Sequence, residues 1–153
     1  MEPKRGLMIQ APMGTGKSHY ITNANQSYLI DGDDLLEKMG IKNRNYFWYF
    51  DKFDVERNNI MDAFDTYLNL GYWIFYSSNP KYLLSDIIII PDENIRWERL
   101  QQRNGFKPTR SQFDAEQKAY QESRQDAYYY ICGDIPSLQL LTAIYQEILD
   151  KNL

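Results

Sequence analysis

The stretch from Ala11 to Ser18, APMGTGKS, limits what this chain can fold into more than any other. A short apolar run, Gly6 to Ala11, leads into it, and a helix signal begins near Gly16. Gly14 and Gly16 let backbone N–H groups turn inward around an anion. Lys17 then sets a cation on the outer phosphate oxygens, and the Ser18 hydroxyl can ligate Mg²⁺. The helix that starts there adds its positive end. The pattern ordinarily opens on glycine, where this chain has Ala11; that residue ends the strand and contacts phosphate least. The expectation is a nucleotide site for ATP and Mg²⁺, with Gly14, Thr15, Gly16, Lys17 and Ser18 as binding residues.

A strand feeding such a loop and helix calls for a sheet with helices on its faces, and the rest of the chain supplies the parts. Strand-length runs occur at Ser27 to Asp31, Tyr72 to Tyr76, Asp86 to Ile90 and Ala127 to Cys132. Those at Tyr72 to Tyr76 and Asp86 to Ile90 are continuous apolar, β-branched or aromatic runs, which suits central parallel strands covered on both sides. Between them, Val55, Ile60, Met61, Phe64, Tyr67 and Leu68 recur near helical spacing until Gly71 stops the helix. Asp92 to Gly105 is acidic at its start and basic at its end, matching a helix dipole. Pro136 and Ser137 open a last amphipathic helix. Residues 104–116 are polar and read as a mobile insertion. The order predicts one domain over 1–153: a three-layer α/β/α fold around a central parallel five-stranded sheet. Its ligands belong at the carboxyl ends of the strands.

Composition narrows the surroundings. With 153 residues the chain can bury a core of its own. One cysteine excludes an intrachain disulfide and fits a reducing, cytoplasmic setting, and one histidine leaves a structural zinc site almost without ligands. At the strand end, Cys132 reads as a small buried hydrophobe. A net charge of -4 argues against a broad basic face for nonspecific nucleic-acid binding, while a local groove stays open. The first apolar run is too short for a membrane span or a signal peptide, so no membrane partner is expected.

Past the second strand come Asp31, Gly32, Asp33 and Asp34. An enzyme that phosphorylates a hydroxyl needs a base near the attacking oxygen, usually a carboxylate. In the competing reading, Asp33 or Asp34 caps the next helix. With this loop, this cluster and an arginine-bearing helix, the chain resembles the small P-loop kinases across nearly its whole length. Those include nucleoside monophosphate kinases, adenylylsulfate kinase, gluconate kinase and the kinase domain of polynucleotide kinase. Asp31-Gly32-Asp33 looks like the Asp-Gly-Asp of adenylylsulfate and gluconate kinases. The corresponding Asn-Arg-Asp-Asp of polynucleotide kinase aligns Asp33 with its base. The resemblance implies Asp33 as base and Asp31 as a partner to Mg²⁺ through water. It departs at Leu36, where polynucleotide kinase has an arginine.

The resemblance also implies a lid over ATP, at about 104–116. Arg99 and Arg103, four apart on one helix face, would bind nucleotide, and Arg103 would stabilise charge on the moving phosphoryl group. Pairing with Glu93 or Glu98 on a solvated surface is the competing reading. The third strand ends in Ser77 and Ser78, where many P-loop proteins carry an acid. Tyr46, Phe47, Trp48, Tyr49, Phe50 and Phe53 crowd the segment where small kinases bind their acceptor, with Arg44, Lys52 and Arg57 close in sequence. Such rings either sandwich a base or fill a core. The expected function is transfer of the γ-phosphoryl group to a hydroxyl of a nucleotide or nucleic acid, DNA among the candidates. The alternatives are a nucleoside monophosphate kinase and a nucleotide-binding module without transfer chemistry.

Overall fold

The computed structural model describes residues 5–40, 54–80, 83–123 and 127–151. The chain runs β1 (Met8–Gln10), α1 (Lys17–Ala24), β2 (Leu29–Asp31), α2 (Gly32–Lys38), α3 (Asp54–Asn69) and β3 (Trp73–Tyr76). It continues β4 (Ile87–Ile90), α4 (Glu93–Gln102), α5 (Arg110–Glu122), β5 (Tyr129–Cys132) and α6 (Leu138–Lys151). All strand pairs are parallel, in the order β2-β3-β1-β4-β5. The strand bearing the phosphate loop is thus the central one, with Ile9 opposite Phe75 on one side and Ile87 on the other.

Period-two alternation explains the layers. Leu7, Ile9, Phe75, Ile87 and Ile89 face Leu141, Ile144 and Ile148 of α6, with Tyr20 and Ile21 of α1 at the margin. Met8, Ile74 and Tyr76 face Leu35 and Leu36 of α2 and Ile60, Ala63, Phe64 and Leu68 of α3. Ile88 and Ile90 meet Tyr120 of α5. No residue of β4 is more than 6% exposed, as a strand covered by helices on both faces requires. Each buried isoleucine there contributes about 1.5–3 kcal/mol. The five-stranded parallel sheet and three layers match the sequence reading. At the end of α3, Gly71 takes φ 95° and donates its N–H to Leu68 O at 2.9 Å, the left-handed stop that the sequence indicated.

One segment differs. Residues 104–116 do not run as a loop throughout, because α5 begins at Arg110 and buries Phe113, Glu116, Gln117 and Tyr120. Thr109 Oγ1 accepts from Gln112 N at 3.2 Å, while Gln112 Oε1 accepts from Thr109 N at 2.9 Å. This is a complete capping box, and its signature was in the sequence as Thr109-x-x-Gln112. Polar composition hid it, since the buried positions include Glu116 and Gln117. Thr109→Ala should destabilise the protein by about 1 kcal/mol. A thermal melt should show the midpoint fall by roughly 2–4 °C, and an unchanged midpoint would mean the box contributes nothing. Among the described residues no helix is long and apolar enough to cross a membrane.

Candidate functional site

The site forms where β1 ends. Ala11 is wholly buried and donates its N–H to Tyr76 O at 3.1 Å. It carries the strand pairing one residue further, with its methyl in the core, so a side chain is welcome where the pattern usually has glycine. The chain then turns: Thr15 Oγ1 donates to Pro12 O at 2.6 Å. Gly14 has φ 87°, and a Cβ there would lie 2.8 Å from Leu100 Cγ. Helix α4 packs that closely on the loop, and only glycine suits both the backbone and the space. Gly16 precedes α1, no side chain caps the helix, and its first turn holds no acidic residue. The helix therefore presents its positive end to the loop uncompensated.

Lys17 lies across the loop, with Nζ donating to Ala11 O at 2.9 Å and Pro12 O at 3.1 Å. Burial pushes its pKa below the usual 10.5, opposed by Glu116, then Asp31 and Asp33, while Arg96 adds to the fall. Ser18 Oγ donates to Asp31 Oδ2 at 3.0 Å, and Asp31 Oδ1 accepts from Asp33 N at 2.8 Å. The cap of α2 is therefore Asp31; the competing sequence reading had placed it on Asp33 or Asp34. That leaves the Asp33 carboxylate free of capping. Asp33 is exposed as a residue, yet partial withdrawal from water and the neighbouring Asp31 raise its pKa above 3.8, with Lys17 pulling the other way.

Among the described residues no group of three or more His, Cys, Asp or Glu could hold a metal. A Mg²⁺ ion in such a site keeps several waters and leans on the phosphates of its nucleotide. The joined Ser18 hydroxyl and Asp31 carboxylate fit that modest demand.

Helix α4, capped by Asp92 through Ile95 N at 3.0 Å, brings its arginines to different places. Arg99 Nη1 donates to Thr15 O at 3.2 Å, and its Nη2 lies 3.7 Å from Asp134 Oδ1. It thus spans the phosphate loop and the connection from β5 to α6. Glu93, one of the surface partners proposed from sequence, pairs instead with Arg110 at 3.1 Å. Arg103 closes α4, exposed, with no hydrogen bond or ion pair among the described residues. The loop residues Gly14, Thr15, Gly16, Lys17 and Ser18 thus share one site with Asp31, Asp33 and Arg99, while Arg103 lies one turn beyond Arg99 at the end of α4, with no contact to the loop among the described residues.

Sequence reasoning missed Arg96, whose side chain is fully buried. It pairs with Glu116 at 2.6 Å, and its Nη1 also donates to Met13 O at 2.9 Å. No local spacing marks a pair twenty residues apart; the available hint was Arg96 on the face of Leu100, four residues on. Ser78, where an acid was expected to be missing, is wholly buried and donates its N–H to Tyr120 Oη at 3.2 Å. Among the described residues its hydroxyl has no hydrogen-bond partner. Cys132 is exposed, contrary to the sequence reading, because it ends the edge strand of the sheet. The aromatic segment Asn43 to Phe53, with Arg44 and Lys52, lies outside the described residues.

No model of a known protein family matches the chain. No curated protein matches it in sequence. Solved structures do. A tunicamycin resistance protein from Deinococcus radiodurans superposes with a TM-score of 0.55 at 13% identity, over 95% of each chain. A gluconokinase from Sinorhizobium meliloti gives 0.53 at 16% identity, over 97% of this chain and 96% of its own. A shikimate kinase from Bacteroides thetaiotaomicron gives 0.51 at 15% identity, over 94% and 97%. What these likenesses share with the chain is the fold, a parallel sheet between layers of helices.

Proposed function

We propose that the protein is an ATP-dependent kinase that moves the γ-phosphoryl group onto a hydroxyl of a nucleotide or nucleic acid, in the manner of a polynucleotide or hydroxymethyluridine DNA kinase. The observation that carries this reading is Asp33: a carboxylate relieved of capping by Asp31, with Lys17 among the charges acting on it. An acceptor that is already a phosphate needs no such base; a hydroxyl does. In this scheme Lys17 and the loop N–H groups hold the phosphates, and Ser18 and Asp31 hold Mg²⁺. Bound there, the ion would neutralise charge on the phosphate oxygens. Arg99 steadies the nucleotide from the far side of the loop, and Arg103 reaches in from the end of α4 with the lid, which α5 confines to residues 104–109. Asp33 orients the acceptor hydroxyl and takes its proton.

A second reading has its own support. The gluconokinase and shikimate kinase that share the fold over at least 94% of this chain are named for small hydroxylated acids. An acceptor of that class would use the same Asp33. The test is a panel with γ-labelled ATP, offering nucleosides, mononucleotides, 5'-hydroxyl oligonucleotides, hydroxymethyluracil DNA and small polyol acids. Label on a nucleoside or DNA hydroxyl is expected. Label on polyol acids alone would favour the second reading, and label only on mononucleotide phosphates would indicate a nucleoside monophosphate kinase. No transfer to any of them would reduce the protein to a nucleotide-binding module.

A further inference from the structure

The turn that carries Gly14 is held from outside by one side chain. Arg96, on α4, donates from Nη1 to Met13 O at 2.9 Å. The same nitrogen lies 2.6 Å from Glu116 Oε1, Nε donates to Gln117 Oε1 at 3.1 Å, and Nη2 donates to Phe113 O at 3.3 Å. The Phe113 ring centre is 3.9 Å from the guanidinium carbon. These α5 groups fix a fully buried guanidinium in one place and aim one of its corners at the loop. Fastening α4 to α5 does not by itself call for an arginine, since a buried ion pair is often no more stabilising than apolar side chains of similar volume. Apolar side chains, however, could not donate to Met13 O.

That bond sets the direction of the next amide. Across the trans Met13–Gly14 peptide, the Met13 carbonyl and the Gly14 N–H point opposite ways. With the carbonyl turned to Arg96, the Gly14 N–H is turned away from the α4–α5 cover. Rotating this plane would exchange the two groups, and glycine resists the change of φ less than any other residue. Gly14 already sits at φ 87°, and a Cβ on it would lie 3.3 Å from Arg96 Cγ as well as 2.8 Å from Leu100 Cγ. Helix α4 therefore touches both ends of the same peptide. We propose that Arg96 is a positioning residue of the phosphate site: it locks the Met13–Gly14 peptide with the Gly14 N–H turned to the phosphates and the Met13 carbonyl held away from them. This rests on the reading that the loop binds ATP. A flipped peptide would set a carbonyl oxygen against the phosphate oxygens, so the lock both supplies a donor and excludes an acceptor.

Arg96→Met/Glu116→Leu replaces the pair by apolar side chains and leaves no buried charge unpaired. Its melting midpoint should equal or exceed that of wild type. Mg-ATP and inorganic tripolyphosphate are then titrated into both proteins by calorimetry, and nitrogen-15 labelling follows the Gly14 amide. Loss of an amide bond to a charged group should weaken ATP binding roughly 10–100-fold. Tripolyphosphate should lose the same factor, because the missing contact is to phosphate. The Gly14 amide proton should move downfield when ligand binds wild type, and less in the variant. A folded variant that binds both ligands within about threefold of wild type would overturn the proposal, leaving Arg96 only to join two helices. A loss confined to ATP would place the effect on the nucleoside and overturn it equally. Should the apolar pair fail to fold, Arg96→Gln/Glu116→Gln takes its place. The new amide nitrogen at position 96 falls where Arg96 Nε meets Gln117, short of Met13 O, so the same losses are expected and their absence again overturns the proposal. Wild-type protein that binds neither ligand would sink the underlying loop reading, and this proposal with it.

Discussion

Lys17→Ala should leave a folded protein that no longer transfers phosphate. Among the described residues the ammonium is anchored by the Ala11 and Pro12 carbonyls, so its removal relieves a half-buried cation and takes no side chain out of the core. A thermal melt should match wild type or improve on it. The chemistry should suffer heavily, because charge developing on the transferring group then meets one cation fewer in a partly dry site. Loss of a single well-placed donor of this kind lowers rate by about 10²–10³-fold. Loss of a full charge should reach or exceed the upper figure in kcat/KM. Turnover within tenfold of wild type would mean that the loop does not hold the reacting phosphates.

Asp33→Asn is the second large effect, expected to lower kcat by roughly 10²–10⁴-fold if the carboxylate takes the acceptor proton. The pH profile separates this from a mere binding role. A base works ionised, and the Asp33 pKa lies above 3.8, through its burial first and Asp31 second. Wild-type activity should therefore fall as pH drops through that raised value, sooner on acidification than an ordinary aspartate would allow. The asparagine variant, having no proton to gain there, should lose this acid limb along with its rate. A raised acceptor KM with kcat nearly unchanged would make Asp33 a binding group instead.

Much of the architecture could be seen in the residues. The runs Trp73–Tyr76 and Ile87–Ile90 had to be buried on both faces, and a loop such as APMGTGKS needs a strand before it and a helix after it. Elements with a strong local period are legible because their cause is local. The cover of the site was harder. Helix α5 buries Glu116 and Gln117 beside Phe113 and Tyr120, so its inner face looks polar until Arg96 is placed against it. The partner that makes a buried charge tolerable lies on another helix, and no window of sequence contains both. Asp31 shows a subtler limit: three neighbouring carboxylates could each have capped α2, and only backbone geometry decides which one does.

The central place of β1 gives the two halves of the site unequal permanence. Its backbone is bonded to a neighbour on each side, whereas β2 is bonded to β3 alone. Partial unfolding under native conditions starts from the least bonded elements and reaches the doubly bonded ones last. The strand that holds the phosphate loop therefore belongs to a more persistent unit, and the strand that ends in Asp31 and leads into α2 with its Asp33 to a less persistent one. Under the proposed function, nucleotide would be gripped by the part that stays, while Asp33 would meet the acceptor from the part that can yield. In that scheme, breadth of acceptor choice would fall to the margin of the sheet, where a small local opening would change the shape of the cleft without disturbing a bound triphosphate.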